Sequence, residues 1–341
     1  MAGITHLKQF QKDYLRGLVD ESVSVREEAP TFGQQYLPNL TVYSNTFTYD
    51  IIKQAKHLAA FIGYGAEPPV MDRDAVAQKF GSLAAFGLQY IATVEELMAL
   101  NQARNDGERN AIIERLEKKT IDIVNGIQDF SDVLRAKALT TGKLQYTKED
   151  VQINFDYQIP ANHKIALTGT NKWSDPTADI LGNLIEWNET YSTSNNGKVA
   201  DEILMPLDVF ALMTKNASII AEARPGITGV KRISQDEVNS VLEQYGLPVV
   251  RIIRSRVTTV RNVASGQDEA VEFYPAGRVV FIGKGLGNFY YGPNPEAEDF
   301  TPGIVVRAED EKRPKRSIID GYAAGFPIIE VPSLLLHAEV L

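Results

Sequence analysis

The stretch GERNAIIERLEKKTIDIVNGIQDFSDVLRAKALTTG, Gly107 to Gly142, carries apolar residues at steps of three and four. The positions on this stripe are Ile113, Leu116, Thr120, Ile123, Ile127, Phe130, Leu134 and Ala138. Such spacing places one apolar face along a helix. We predict one continuous helix from Glu108 to Leu139, about 48 Å long at 1.5 Å per residue. A rod of this length with a single apolar stripe is typical of an element that braces a sheet.

Both ends of this helix have recognisable signals. Upstream, TVEE at Thr93 is a capping box that predicts a helical run, which breaks near NDGE at Gly107. Downstream, Arg135 and Lys137 are expected in the last turn, where cations complement the helix dipole. Gly142 follows at the position of a C-terminal glycine stop.

The composition is that of a folded protein. The 341 residues are 44% hydrophobic and 23% charged, enough for about two or three domains. No apolar run reaches the ~18 residues of a membrane span, and the start lacks a signal-peptide core, so we expect no membrane partner. Cysteine is absent, which excludes disulfides and thiolate sites and fits a reducing cytoplasm.

The formal net charge of -9 argues against a protein that grips nucleic acid through its phosphates. Two short segments are basic despite the negative net charge. They are Arg254 with Arg256, and EKRPKRS, which contains Lys312, Arg313, Lys315 and Arg316. Either run can pair with acidic neighbours or other subunits, or it can be a solvated charged face.

The segments that precede and follow the long helix in the sequence predict an α+β protein. The first ~35 residues, ending in VREEAPTFG, suggest an extended arm, and Leu40 to Tyr90 suggests a long projecting hairpin. After the helix we predict a strand through Val151, Ile153, Phe155 and Tyr157. Further predictions are helices Pro206–Lys215 and Ser234–Tyr245, strands in VVRIIRSRV, GRVVFIG and NFYYG, and a closing C-terminal strand that Pro332 restricts to an edge or bulge.

Both tryptophans lie in NKWSDPTADILGNLIEW, Asn171 to Trp187. Asp175 followed by Pro176 predicts an N-cap and first helical residue, with Asp179 in the first turn. A metal site would need more oxygen ligands than this one carboxylate pair. The stretch, including Trp173, is therefore predicted to start a packed helix.

Two glycine clusters resemble nucleotide-binding loops only in part. GKGLG at Gly283 precedes a strand-like segment, whereas a dinucleotide loop opens a helix. TTGKL at Thr140 has Leu144 where a phosphate loop needs Ser or Thr. No nucleophile elbow or zinc-protease motif is present, and the four histidines are scattered, so we predict no catalytic residue, cofactor or metal.

Taken in order, these segments resemble the lambda head-protein family of tailed phages, major capsid protein E. The resemblance rests on YLPN, DVLRAKALTTGKL, VQINFDYQIP, KWSDPTADILGNL and AGRVVFIGKGLGNFYYGPNPE. These include Phe155, Gly142, the Trp173 to Asp179 segment, and Tyr291 with Gly292. The match covers the chain from about Gln34 to its C-terminus.

The resemblance implies the Hong Kong 97-type capsid fold. Its parts would be an N-terminal arm (1–37), an E-loop (38–92), a P-domain with the spine helix (93–170), an A-domain (171–302) and a return to the P-domain (303–341). Lys53, Lys56 and Lys79 lie in the presumed E-loop, where some relatives form cross-links. Lysines are common in any extended hairpin, so cross-linking is not expected here.

The implied function is assembly rather than catalysis. Hexamers and pentamers would form an icosahedral shell that encloses double-stranded DNA without sequence-specific binding. The implied partners are further copies of the chain, a separate scaffolding protein, a portal protein and, in some phages, a decoration protein. The implied location is the virion capsid, after assembly in the host bacterial cytoplasm. An enzyme of unknown type and another phage structural protein, such as a tail or decoration protein, are the alternatives.

Overall fold

A computed structural model describes residues 3–53, 75–148, 151–227, 229–261, 267–297 and 299–341. The chain divides into two compact units. The first consists of Met1–Thr48, Phe80–Arg135 and Asn288–Ile328; the second of Tyr49–Lys79, Ala136–Gly287 and Ile329–Leu341.

The described residues form α-helices and strands distributed along the whole chain. The helices are α1 (Lys12–Glu28), α2 (Phe32–Tyr36), α3 (Val94–Asn101), α4 (Asp106–Thr141), α5 (Ile180–Ser194), α6 (Leu207–Met213), α7 (Ala217–Ala223) and α8 (Gln235–Gln244). The strands are β1 (Asn39–Thr41), β2 (Thr46–Lys53), β3 (Ala75–Ser82), β4 (Ala84–Ala92), β5 (Lys143–Lys148), β6 (Val151–Asp156), β7 (Lys164–Ala166), β8 (Glu202–Pro206), β9 (Val250–Ile253), β10 (Val257–Arg261), β11 (Asp268–Glu272), β12 (Arg278–Ile282), β13 (Gly287–Tyr291), β14 (Val305–Lys312), β15 (Lys315–Ile329) and β16 (Leu335–Glu339).

The first unit is built on the long strand β15. The sheet order is β1-β13-β15-β14, and β4 also pairs with β15, antiparallel, from Ser317↔Ala92 to Gly325↔Ala84. Helix α4 packs directly on this sheet. A Cβ on Gly321 would lie 2.5 Å from Ile123 Cγ2 and 2.9 Å from Ile127 Cδ1. Glycine at this position therefore allows the helix to contact the backbone of the strand.

The second unit has its own sheet, in the order β7-β16-β12-β8-β9. Its parallel pairs are β16 with β7 and β8 with β9, while β12 is antiparallel to both of its neighbours. The buried core around this sheet includes side chains of α5, α6, α7 and α8, such as Leu184, Phe210, Ile219 and Val241. Two antiparallel pairs, β5 with β6 and β10 with β11, form separate ribbons.

The long helix predicted over residues 108–139 is confirmed. Helix α4 has 36 residues, about 54 Å at 1.5 Å per residue, and extends two residues beyond the prediction at each end. The capping box is also confirmed, because the Thr93 side chain accepts from Glu96 N and starts α3. The placement of Arg135 and Lys137 in the last turn was wrong, because the helix continues to Thr141.

The first ~35 residues are not an extended arm. Residues Lys12–Glu28 form α1, with Leu15 and Val19 buried. Three pairs join α1 to α4: Tyr14 with Glu117, Ser22 with Asn125 and Arg26 with Asp129. All three have a separation of 103 residues, so the two helices run parallel.

Strands β2 and β3 form a two-stranded sheet, as the arms of the predicted hairpin would. The predicted tip around AEPPV and Lys56 lies outside the described residues, as do the side chains of Lys53 and Lys79.

The C-terminal segment differs from the single edge strand that was predicted. Pro332 begins a 3-10 turn, Pro332–Leu334, which separates β15 from β16. Strand β16 is not at an edge, since it pairs with β12 on one side and β7 on the other. In the expected division, β7 falls in the P-domain and β12 in the A-domain. Contacts place β7, β12 and β16 together in the second unit.

Among the described helices, none has the length and apolar character needed to span a bilayer.

Candidate functional site

The residues that the sequence singled out do not converge on one site. Tyr291 and Gly292 belong to the first unit, whereas Gly142, Phe155 and the segment Trp173–Asp179 belong to the second. Across the described ranges, no group of three or more His, Asp or Glu side chains could hold a metal ion. The chemistry of these positions is therefore the chemistry of packing and backbone capping.

Trp173 is a core residue of the second unit. Its side chain is 2% exposed and stacks on Trp187, with ring centroids 5.7 Å apart and an angle of 8° between the rings. Trp187 in turn meets the edge of Phe281 at 6.4 Å. The backbone N–H of Trp173 donates to Val340 O at 2.8 Å, which fixes the segment beside the C-terminal strand.

The helix that follows begins four residues later than predicted. Asp179, not Asp175, is the N-cap of α5, and its carboxylate accepts from Gly182 N at 2.9 Å. The carboxylate of Asp175 instead accepts from the backbone N–H and hydroxyl of Thr177, at 2.8 and 2.6 Å. These bonds lower the pKa of Asp175 and close a local turn that contains Pro176. The helix begins only after this turn is complete.

In the second unit, the end of α4 is held by Gly142 and His337. Gly142 has φ +66°, the left-handed conformation that ends a helix. His337 Nε2 lies 2.7 Å from Leu139 O. Because a carbonyl oxygen only accepts, Nε2 must carry the proton. Complete burial lowers the pKa of His337 to about 3, so the ring is neutral at pH 7.

Phe155 lies on β6 opposite Leu144 of β5. Its ring meets that of Tyr157 edge-on, with centroids 5.0 Å apart. Tyr157 is fully buried, and its backbone N–H donates to Gly142 O at 3.1 Å. Phe155 thus packs on the residue that covers the helix end.

In the first unit, Arg135 joins α4 to the chain that follows α2. This guanidinium is 1% exposed and donates through Nε to Leu37 O at 3.0 Å. It also donates to Asp132 at 2.8 Å and to Asn39, and lies over the Phe289 ring at 4.2 Å. Burial raises the pKa of Asp132, against the opposing effect of Arg135 and Arg26.

Tyr291 and Gly292 hold β13 close to its neighbours. The hydroxyl groups of Tyr291 and Ser131 share a hydrogen bond of 2.9 Å, and burial raises the pKa of Tyr291. A Cβ on Gly292 would overlap Leu83 Cδ1, and its N–H donates to Ala324 O at 2.9 Å. Tyr291 supplies a buried polar link, and Gly292 permits close approach.

The structural roles of three residues, Arg135, Ser131 and His337, were not predicted from the sequence. For Arg135 a signal was present, because Asp132 stands three residues before it, at the spacing of an ion pair on one helix face. Ser131 and His337 bond across long stretches of chain, to Tyr291 and Leu139, and no local pattern reports such contacts.

Comparison with known families identifies the chain. Residues 19–340 match the family described as phage major capsid protein E. The chain belongs to this family. The match spans nearly the whole chain, including both units and the capped ends of α4 and α5. No curated protein matches the chain in sequence.

Solved structures show the same fold at low identity. A prophage capsid protein from Escherichia coli CFT073 aligns with a TM-score of 0.63 and 12% identity, covering 97% of this chain and 99% of that one. A phage-related protein from Bordetella bronchiseptica RB50 gives 0.55 at 12% identity, covering 95% and 96%. A virus-like particle from Pyrococcus furiosus gives 0.50 at 12% identity, covering 98% and 100%.

The chain is thus a phage major capsid protein with the Hong Kong 97-type fold, an α+β architecture. Members of this family are structural proteins of the virion capsid, and they associate with one another to form its shell. The predicted fold class and function are confirmed. The alternative of a tail or decoration protein is not supported, because the match is to the major capsid protein.

Proposed function

We propose that this capsid protein assembles into hexamers and pentamers that close as an icosahedral shell around double-stranded phage DNA. The observation that carries the proposal is the family match over residues 19–340. Closed shells of this kind are stabilised by many modest interfaces repeated by symmetry. In the first unit, α4 packs against the sheet, and this packing would give each subunit a rigid body for such contacts.

We further propose how the chain divides among these tasks. Residues 1–37 would form the arm, 38–92 the E-loop, 93–170 the P-domain, 171–302 the A-domain and 303–341 the return to the P-domain. Within the proposed arm, residues Lys12–Glu28 form α1, which bonds to α4 of the same chain. The buried position of β16 between β7 and β12 would make the return segment a link between the last two domains.

The proposed partners follow from assembly. A separate scaffolding protein would guide the shell, a portal protein would occupy one vertex and a decoration protein would bind the outside in some phages. Assembly would take place in the host bacterial cytoplasm. We expect no enzymatic role for the chain, because the family to which it belongs is that of a structural capsid protein.

Contact with DNA would be weak and independent of sequence. The net charge of -9 suits a container that must release its cargo, because phosphate binding needs clustered cations. A strongly positive inner surface in an assembled shell would contradict this point.

Sedimentation and negative-stain electron microscopy of the purified protein, with and without a candidate scaffolding protein, test the proposal. We expect rings of five and six subunits or closed shells. A stable monomer under both conditions would contradict the proposal.

A further inference from the structure

The hairpin between β14 and β15 ends in four basic residues, Lys312, Arg313, Lys315 and Arg316, which we call the basic tip. Lys312 and Lys315 are directly opposite each other in the ladder. Like charges in this position destabilise a strand pair, so an isolated subunit bears a repulsion that an anion would relieve. The next pair, Glu311 and Arg316, is complementary and forms an ion pair at 2.6 Å.

A cavity of about 260 Å³ lies beside the basic tip, lined by Gly3, Leu97 and residues 310–312 and 315–317. Both carboxylates in its wall already have partners. Asp310 accepts from Ile4 N at 3.0 Å and from the hydroxyls of Thr5 and Ser317, at 2.5 and 2.6 Å. Glu311 is bound to Arg316. Within the described part of the chain, Lys312 and Lys315 form no ion pair, so the cavity presents two unneutralised cations.

A second charged surface of the same unit is acidic and lies on α1. Helix α1 buries Leu15 and Val19 and turns Tyr14, Ser22 and Arg26 toward α4. Four exposed carboxylates lie in its second half, Asp20, Glu21, Glu27 and Glu28, which we call the acidic ridge. None of the four forms an ion pair among the described residues.

The C-terminal end of the acidic ridge, at Glu27 and Glu28, lies far from the basic tip of the same chain. Arg26, beside the ridge, bonds to Asp129 of α4, and the adjacent Phe130 packs on Phe86. Phe86 is opposite Ala323, and the strand from Ala323 back to Lys315 spans about 26 Å at 3.3 Å per residue. Glu27 and Glu28, which flank Arg26 at the end of α1, are therefore too far from Lys315 for an ion pair within one chain.

We propose that the basic tip of one subunit binds the acidic ridge on α1 of a second copy of this chain. This inference rests on the proposed assembly of the chain and assigns one of its contacts. Two different surfaces on one body make a heterologous contact, which propagates around a ring instead of closing as a pair. Subunits with a net charge of -9 repel one another, and a local cation cluster that meets a local anion cluster overcomes this repulsion where they join.

Charge reversal tests the pairing. The tip variant is Lys312→Glu with Lys315→Glu, and the ridge variant is Asp20→Lys with Glu28→Lys. The tip variant keeps two like charges opposite each other, so it resembles the wild type in hairpin repulsion. Lys198→Glu with Lys215→Glu, at exposed lysines of the second unit, changes the net charge by the same amount as the tip variant.

We expect the wild type and the Lys198/Lys215 control to assemble, each reversed variant to lose at least ten-fold in assembled fraction by sedimentation, and the combined tip and ridge variant to recover it. Assembly of both reversed variants at the wild-type level, or equal loss in the control, would overturn the pairing. Failure of the wild type itself would instead overturn the proposed function, and this contact with it.

A second measurement does not depend on how the variants fold. Wild-type protein labelled with ¹⁵N is assembled with unlabelled protein and treated with a carbodiimide, which joins amines to carboxylates in contact. We expect mixed-label peptides that link Lys312 or Lys315 to Asp20, Glu21, Glu27 or Glu28. Assembled particles without such links would contradict the proposal.

Discussion

Arg135 on α4 donates a hydrogen bond of 3.0 Å from its Nε to the carbonyl oxygen of Leu37, in the segment that follows α2. The guanidinium is 1% exposed, yet its donors reach Leu37, Asp132 and Asn39, and its flat face covers Phe289. One buried cation therefore joins the helix to β1, through Asn39, and to β13. This arrangement stabilises the first unit only while every partner is present.

Arg135→Met should destabilise the first unit by about 2–4 kcal/mol, because it leaves Leu37 O without its donor and half-buried Asp132 with only the longer contact to Arg26. Scanning calorimetry of the assembly-free subunit measures the change. Arg109→Met, at an exposed position of the same helix, is the control and should stay within about 0.5 kcal/mol of the wild type. A similar small change for Arg135→Met would show that the network is not required.

Trp173→Ala should lower the free energy of unfolding of the second unit by about 3–5 kcal/mol, because the stack on Trp187 is replaced by a cavity. The expected result is a lower yield of folded, assembly-competent subunit. Trp173→Phe keeps an aromatic ring and should retain most of the stability. Circular dichroism and the soluble yield measure both variants, and normal assembly by Trp173→Ala would contradict the assignment.

Gly142→Ala should be more damaging than Gly169→Ala. Both glycines have a positive φ, +66° and +61°, so alanine costs about 1–2 kcal/mol of backbone strain at either position. Only at Gly142 would the new methyl group overlap a neighbour, Ile159 Cδ1, while Gly169 has nothing within 4 Å. Overpacking adds about 1–3 kcal/mol at Gly142. Denaturant unfolding followed by tryptophan fluorescence reports the second unit, which contains both tryptophans; equal losses would contradict the overlap.

Acid should destabilise the second unit through His337. The folded-state pKa is about 3, below the ordinary value of 6.5, so between these values the unfolded chain binds a proton that the folded chain does not. The free energy of unfolding should fall by up to ~1.4 kcal/mol per pH unit as the pH decreases from 6.5 toward 3. At pH 7 this loss is absent.

His337→Gln should reduce that pH dependence, because a glutamine amide can donate to Leu139 O without binding a proton. His163 is also buried with a lowered pKa and should retain its own contribution. His6→Gln, at an exposed position, is the matched control and should keep the wild-type slope. Unfolding curves at several pH values give the slope of the free energy of unfolding against pH. An unchanged slope in His337→Gln would show that His337 is not the source of the pH dependence.

The features that the sequence predicted well are those set by neighbours along the chain. Helix α4 follows from apolar residues every three or four positions, and α3 and α8 begin at capping boxes formed by Thr93 and Ser234. Gly142 is also local, since a helix end in the left-handed conformation favours glycine.

The errors arose where two local solutions compete or where distant segments decide. Asp175 and Asp179 are both good N-caps, and the choice of Asp179 depends on Thr177 capturing the carboxylate of Asp175. The conformation of the first 35 residues depends on distant segments, because α1 has hydrogen-bond partners on α4 and also contacts β14. The closing strand was predicted at an edge or bulge because of Pro332, but that proline lies in the turn before β16.

The most direct test of the central claim is cryo-electron microscopy of particles assembled from this protein, alone and with a candidate scaffolding protein. The account predicts an icosahedral shell of five- and six-subunit rings, in which each subunit contains α4 packed on the β15 sheet. Particles without such rings, or a protein that stays monomeric at every concentration tested, would contradict it.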